Sequence, residues 1–505
     1  MPGFPSSLVG TVQFASVAFL FVLAITVIAY YSLPGPRTRA VLLLVVSSLL
    51  YLTMAPQGFL VLALVTTVAY VSGVLIERGD DRIGRTRSVV GVVAVVALVA
   101  GLALFKYADS TVAFVGRIAA LSSLAGDRTL RLVLPLGMSF WTFQAIAYVV
   151  DVRKGRTSAE RDPLLFWLSV AYFPIVTAGP ITKIQQLGPQ LREKRAFDPD
   201  GIRSGLLLMG RGFFKKLMVA DRLVVFVDAV YADPHAFGGG SNGLILFVAS
   251  CFFAIQLYMD FSGYSDIVRG ASRLFGVEIP NNFRGPYFAT TVRDFWRRWH
   301  ISLMDWLKEY VYIPLGGNRV GDARRYANLL AVFAVSGLWH GTGLTYLAWG
   351  LLNGIYQVAG GLLAPLNERI IRRLRIDRDS VGHRAFRTAR TFVLITVSWV
   401  FFRAESLADG AYIVTRMFSP TLGVLTDGSL LELGLTASDL AVALLSAVIV
   451  FILEWASLRT DALTIITRRR VMVRWAVYYA LILTIVLFGA YGGAYRAADF
   501  VYFKF

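Results

Sequence analysis

Ser336-Gly337-Leu338-Trp339-His340-Gly341-Thr342-Gly343 places a histidine inside otherwise apolar sequence. Leu329 to Val335 precede it and Leu344 to Leu352 follow it, so the imidazole falls where a helix of membrane-spanning length is expected. An ionisable side chain at that depth is costly, and by default it marks a functional site. Forty residues earlier, Arg293-Asp294-Phe295-Trp296-Arg297-Arg298-Trp299-His300 ends in a second histidine and leads straight into another apolar segment. The chain has four histidines in all. His235 lies in the loop Asp233-Pro234-His235 and His383 in an arginine-rich loop, and both read as exposed. His300 and His340 remain as the candidates for proton transfer near neutral pH.

Outward from this stretch, apolar runs near spanning length recur along the whole chain. They cover Phe14–Leu33, Ala40–Met54, Phe59–Ile76, Val89–Phe105, Leu132–Val150, Phe213–Tyr231, Leu244–Met259, Leu344–Leu363, Thr391–Phe402, Leu440–Leu453 and Trp475–Tyr491. Of 505 residues, 56% are hydrophobic and 13% aromatic, and the mean hydropathy is +0.62. A soluble chain of this length would carry more charge and divide into several domains. The expectation is an all-α polytopic membrane protein: one transmembrane domain over residues 1–505, with about eleven spans plus re-entrant and interfacial helices. The first apolar segment lacks a small-residue cleavage site and reads as a retained span. The single cysteine, Cys251, excludes an internal disulfide.

The net charge of +18, from 50 Lys plus Arg against 32 Asp plus Glu, would suggest nucleic acid in a soluble protein. Its distribution points instead to the positive-inside rule and to no nucleic-acid partner. Arg37 and Arg39 follow the first run, Arg78, Arg82, Arg85 and Arg87 the third, and Arg153, Lys154, Arg156 and Arg161 the fifth. Ala55-Pro56-Gln57-Gly58, between them, is uncharged. This alternation predicts a plasma or inner membrane protein with its N-terminus outside. Leu366–Arg390, with eight arginines, and Arg459–Arg474, with five, then lie in the cytoplasm. The more acidic Ala404–Asp439 and the glycine-rich Ala232–Gly243 read as outward loops.

The middle of the chain does not read as lipid-facing helix. Phe173-Pro174-Ile175-Val176-Thr177-Ala178-Gly179-Pro180 is apolar, yet two prolines and a glycine interrupt it. Backbone groups freed in this way need protein partners, so the segment is expected to be re-entrant and buried. Pro280-Asn281-Asn282-Phe283-Arg284-Gly285-Pro286-Tyr287 and the Trp- and Arg-rich run after it suit an interfacial region.

These residues resemble the bacterial branch of the membrane-bound O-acyltransferases. Asp294–Leu303, Tyr310-Val311-Tyr312-Ile313-Pro314-Leu315-Gly316-Gly317-Asn318-Arg319 and Trp339-His340-Gly341 are similar to that family's signatures. So, in the expected order, are Leu134–Gln144, Phe173–Ile181, Gly212-Phe213-Phe214-Lys215-Lys216, Tyr258–Asp266 and Trp399–Ala404. A lone Trp-His-Gly would be weak, whereas the ordered set is specific. The resemblance is strongest to alginate O-acetylases, with the D-alanyl transfer proteins of teichoic acid synthesis as cousins.

The resemblance implies tilted helices around a central funnel, with His340 as the catalytic histidine and His300 as its partner. Eukaryotic relatives often carry Asn at the first of these positions, so His300 is a bacterial feature. Substrate contacts fall by resemblance to Trp339, Gly341, Trp299, Arg297, Arg298, Tyr258, Asp260 and Gln144. No cofactor or metal is implied. The co-substrate is an acyl thioester, acetyl-CoA or an acyl-carrier protein, approaching from the cytoplasm. The acceptor is a hydroxyl of an envelope glycan, reached directly or through an extracytoplasmic SGNH-type acetyltransferase. Such chemistry needs a base for the hydroxyl proton and stabilisation of an oxyanion, and a buried neutral imidazole can be that base.

Rival readings are weaker. Zinc chemistry would need HExxH or CxxC spacing, which is absent from the sequence. A transporter or flippase would suit broken helices, but the chain has no internal repeat. D-alanyl transfer from a carrier protein to a teichoic-acid-like polymer is the alternative within the same chemistry.

Overall fold

The computed structural model describes Phe14, residues 16–78, 85–116, 133–237, 243–419, 428–458 and 469–491, and Phe500. Arg82, the triplet Gly238–Gly240 and residues 459–468 of the last basic loop lie outside the described residues. Among the described residues every regular element is a helix. The chain divides into two compact units, residues 1–209 with 267–280, and residues 210–266 with 281–505.

The first unit holds α1 (Val17–Ser32), α2 (Pro36–Met54), α3 (Phe59–Arg78), α4 (Arg85–Gly116), α5 (Met138–Arg153), α6 (Pro163–Ala171), α7 (Ile184–Arg192) and most of α8 (Pro199–Phe214). On α2 a stripe of Ala40, Leu43, Ser47, Leu50 and Tyr51 faces inward, while Val41, Val45, Leu49 and Leu52 are exposed. This is a 3.6-residue period on a largely apolar helix, so the outer face is suited to lipid. All of α5 except Val150 and Arg153 is buried, so this apolar run is a core helix. The Phe173–Pro180 segment is non-helical and wholly buried, as its prolines predict. Its backbone finds partners: Phe173 N donates to Ser47 Oγ (3.0 Å), and Gly179 N to the Ile175 carbonyl (3.2 Å). Gly137, at φ +75°, starts α5 where a Cβ would stand 2.0 Å from the Val176 carbonyl oxygen. Only glycine fits that approach.

The second unit holds α9 (Asp221–Ala232), most of α10 (Gly243–Arg273), α11 (Val292–Arg298), α12 (Ile301–Leu307), α13 (Asp322–His340), α14 (Leu344–Leu362), α15 (Ala364–Arg373), α16 (Val381–Arg403), α17 (Leu407–Arg416), α18 (Ala437–Ser457) and α19 (Val471–Phe488). Helices α13 and α14 form an antiparallel hairpin packed nearly backbone to backbone. A Cβ on Gly350 would lie 2.3 Å from the Phe333 carbonyl oxygen, and one on Gly337 2.4 Å from that of Tyr346. Gly350 and Gly354 on α14 are four residues apart, the small-xxx-small spacing that lets helices approach closely without a hydrophobic drive, and Gly337 faces them from α13.

Among the described residues seven helices are long and apolar enough to cross a membrane, or eight if α14 and α15, bent by 52°, count as one span. This is a multi-pass, all-α membrane protein. Of the eleven expected runs, the first forms the 16-residue α1, the fifth the 16-residue core helix α5, and the sixth is interrupted by a π-helical turn at Lys215–Ala220.

Candidate active site

The histidine site is built entirely within the second unit. Thr291 caps α11 by accepting from Asp294 N (3.1 Å), and Asp294 pairs with Arg298 (3.0 Å). This short helix turns Val292, Phe295 and Trp296 inward, with Trp299 buried directly after it, and leaves Arg293 and Arg297 exposed. Arg297 and Arg298 are therefore surface cations, one exposed and one half-buried beside its own carboxylate. His300 follows, fully buried, with φ +46°. Only His300 and Arg375 adopt positive φ among the described non-glycine residues. A left-handed non-glycine residue costs energy and persists where its surroundings hold it.

Asn282 is what holds it. Its Oδ1 accepts from Ser302 N (3.1 Å) and Ser302 Oγ (2.9 Å), and lies 3.3 Å from His300 Nδ1. Its own carbonyl accepts from Ile301 N (3.0 Å). A backbone N–H can only donate, so the atom facing Ser302 N is the amide oxygen. His300 Nδ1 must then donate, and in the neutral ring Nε2 keeps the lone pair. The ring is neutral, because burial pushes its pKa down to about 3.

His340 is the last residue of α13 and 2% exposed. It continues a buried stripe through Asn328, Val332 and Ser336 on one helix face. Trp339 contacts both imidazoles, with ring centroids 6.1 Å from His300 and 4.7 Å from His340. Trp349 (5.0 Å) and Phe402 (5.3 Å) complete the wall around His340. Trp399 stacks on Trp349 (5.5 Å) and meets Trp299 (5.0 Å), and Trp296 Nε1 donates to Asn353 Oδ1 (3.1 Å). The glycine crossing of α13 and α14 brings Trp349 up to His340. The space over Gly341 is occupied by the Tyr346 ring, 2.2 Å from where a Cβ would sit.

The remaining sequence candidates fall in different places. Tyr258 donates to Glu454 Oε2 (2.7 Å) and its ring lies 5.9 Å from Trp299. Asp260 pairs with Lys216 (2.8 Å). Both belong to a buried ionic network in which Arg211 and Lys215 meet Asp266, Lys215 also meets Glu454 (2.9 Å), and Lys216 meets Asp221. The π-helical turn carries both lysines into this network, as such turns often do at functional sites. Phe261, the residue after Asp260, packs on His300 at 4.8 Å, so the network borders the histidine. Gln144 lies in the first unit, where its Nε2 donates to the Ser169 carbonyl (2.9 Å). A cleft of about 650 Å³ in that unit is lined by Tyr148, Glu160, Gln185 and Arg192 among others, and shares no residue with the histidine cluster. His235 is exposed and 3.1 Å from Asp409, whose carboxyl the Ser406 hydroxyl holds below its usual range. His383 lies in the first turn of α16, not in a loop.

Trp349, Asn353 and Glu454 were not singled out by sequence reasoning, and Asn282, Trp399 and Phe402 stood only inside quoted segments, with no site role given to them. They join the site through tertiary contacts between helices far apart in the chain, which no local pattern encodes.

The family profile for membrane-bound O-acyltransferases matches residues 162–402, the stretch that includes both histidines. A probable alginate O-acetylase of Pseudomonas putida is 34% identical over 80% of this chain and 80% of its own. A peptidoglycan O-acetyltransferase of Helicobacter pylori is 34% identical over 65% of this chain and 64% of its own. A teichoic acid D-alanyltransferase of Bacillus subtilis is 23% identical over 46% and 60%. With two buried imidazoles on one tryptophan and relatives of this reach, the chain belongs to the membrane-bound O-acyltransferase family and is an O-acyltransferase.

Proposed function

We propose that this enzyme moves an acetyl group from a cytoplasmic thioester, acetyl-CoA, through the membrane to a hydroxyl outside. The acceptor is an envelope polysaccharide, reached directly or through the serine of an SGNH-type partner. Acetyl is favoured over D-alanyl by the relatives: the acetylating ones align at 34% identity over 65% and 80% of the chain, the D-alanylating one at 23% over 46%. The observation that carries the reading is the pair of buried histidines against Trp339, one with its tautomer fixed by Asn282.

In this reading His340 takes the proton of the acceptor hydroxyl as its oxygen attacks the thioester carbonyl. The tetrahedral oxyanion collapses, the C–S bond breaks, and the leaving thiolate recovers the proton. Neutral His300 with its lone pair on Nε2 suits proton relay; donation to the oxyanion would require the other tautomer. The basic loops after α3 and α5 face the cytoplasm and the N-terminus lies outside.

The test is reconstitution in sealed vesicles with acetyl-CoA confined to one side. Acetyl groups on acceptors of the opposite side, abolished by His340→Ala in normally inserted protein, are expected. Full activity of His340→Ala refutes the catalytic assignment, and acetylation only on the donor's side refutes transfer across the membrane. Labelling of Arg78→Cys by an impermeant thiol reagent in intact cells refutes the orientation.

A further inference from the structure

Helix α15 departs from the end of α14 by a 52° bend and shows two unlike faces. Leu366, Ile370 and Leu374 recur every fourth residue and are 49%, 45% and 65% exposed. They continue an apolar surface begun by Leu362 and Leu363 at the end of α14, both more than half exposed. Arg369, Arg372 and Arg373 occupy the adjoining face, all exposed. Arg375 then takes φ +50°, and its N–H and that of Ile376 close the helix on Arg372 and Ile371. Residues 364–390 hold eight arginines against Glu368, Asp377 and Asp379, a net charge of 8 − 3 = +5. Of the carboxylates, Glu368 is already engaged by Arg378.

An exposed leucine–isoleucine stripe would be an aggregation hazard in water. Three arginines between positions 369 and 373 suit α15 to the headgroup level rather than to the hydrocarbon core. A helix apolar on one face and arginine-rich on the other lies in the membrane–water interface. We propose that α15 is an anionic-phospholipid site: its stripe rests among acyl chains at the end of α14, and Arg369, Arg372 and Arg373 hold lipid phosphates. Continuity of the stripe with the exposed apolar end of α14 favours the bilayer over a soluble acidic protein, which would leave the leucines wet. The assignment is independent of the roles given to the histidines.

The test uses the full-length protein in nanodiscs of phosphatidylcholine with and without phosphatidylglycerol. Retained lipid is read by native mass spectrometry and the unfolding midpoint by thermal scan. Phosphatidylglycerol should be retained and should raise the midpoint, and salt should weaken both effects. A basic residue near an anionic surface contributes about fivefold, so the triple variant Arg369→Gln/Arg372→Gln/Arg373→Gln should lower retention on the order of 100-fold. Arg319→Gln/Arg324→Gln, also exposed, should leave it unchanged. Leu366→Ser/Ile370→Ser should release the lipid while keeping every arginine. Retention equal in wild type and triple variant, or lost equally in the Arg319/Arg324 control, overturns the proposal. So does binding of an acidic carrier protein with no phosphatidylglycerol effect. If the triple variant fails to insert, the salt series on wild type decides: salt-insensitive retention overturns it.

Discussion

Asn282→Ala should damage stability and catalysis together, and Asn282→Asp should separate them. The Asn282 amide oxygen serves three donors: His300 Nδ1, Ser302 N and Ser302 Oγ. His300 is fully buried and Ser302 is 8% exposed, so water cannot readily replace the lost acceptor. The Ser302 hydroxyl can rotate to another partner, which leaves two donors facing a hole. Each unsatisfied buried donor costs about 1–3 kcal/mol, so the alanine variant should lose about 2–6 kcal/mol. Release of Nδ1–H also frees the imidazole to carry its proton on Nε2. Loss of a partner that orients a working histidine typically costs about 10–100-fold, and that loss should appear in kcat. Asn282→Asp keeps an acceptor for all three donors and brings a negative charge to the ring, which favours imidazolium. It should fold nearly as well as wild type but show an acid limb in its pH–rate profile that wild type lacks. Thermal unfolding in detergent and acetyl-transfer kinetics from acetyl-CoA read both effects. Wild-type midpoint and kcat in Asn282→Ala would refute the reasoning.

Three further perturbations have defined outcomes. Burial holds the His300 pKa near 3 against about 6.5 in an unfolded chain. The unfolded state therefore binds a proton that the folded state refuses, and stability is full above about pH 6.5 and falls as pH drops toward 3, by at most about 1.4 kcal/mol per unit. His300→Asn, which tolerates positive φ, should flatten that dependence, and identical slopes for the two proteins contradict it. Lys215→Met leaves Glu454 and Asp266 facing each other across an apolar side chain and should cost about 3–5 kcal/mol, with part of the loss recovered by adding Glu454→Gln; additive losses in a double-mutant cycle would show that the pair does not couple. Gly350→Ala should force α13 and α14 apart, costing about 1–3 kcal/mol and most of the activity, while Gly360→Ala, where a Cβ meets nothing, should stabilise α14 by about 0.5–1 kcal/mol. Equal behaviour of the two glycines in unfolding scans and activity would refute the close-crossing account.

The parts of the fold legible in the sequence are those set by local physics. Proline and glycine at Phe173–Pro180 exclude a lipid-facing helix whatever surrounds them, and the segment is buried and irregular. The 3.6-residue alternation on α11 explains why Trp296 and Trp299 are inside and Arg297 outside. Hydropathy fails where burial in protein and burial in lipid look alike. Met138–Arg153 is as apolar as a span, but its polar Ser139, Thr142, Gln144 and Asp151 are all buried, which makes it a core helix. Substrate roles for Tyr258 and Asp260 rested on resemblance alone. Their polar partners, Glu454 for Tyr258 and Lys216 for Asp260, lie 196 and 44 residues away in the chain, and sequence spacing cannot report such a pairing.

The two histidines differ in how they are fixed. His340 is the last residue of a regular helix, positioned by the stripe from Asn328 through Ser336 and by glycines that admit Trp349. Rigid packing sets its place, and its surroundings as described are largely aromatic rings. His300 sits at a left-handed turn between two short helices, and one amide oxygen sets both its backbone and its tautomer. A base that must meet a substrate gains from the first arrangement, because aromatic walls exclude water and strengthen every charge that develops. A group that passes a proton gains from the second, because a fixed Nδ1–H gives the lone pair on Nε2 one defined direction. On this argument Asn282 substitutions should alter the pH–rate profile through His300, whereas Gly350 or Trp349 substitutions should lower kcat at every pH without moving its limbs.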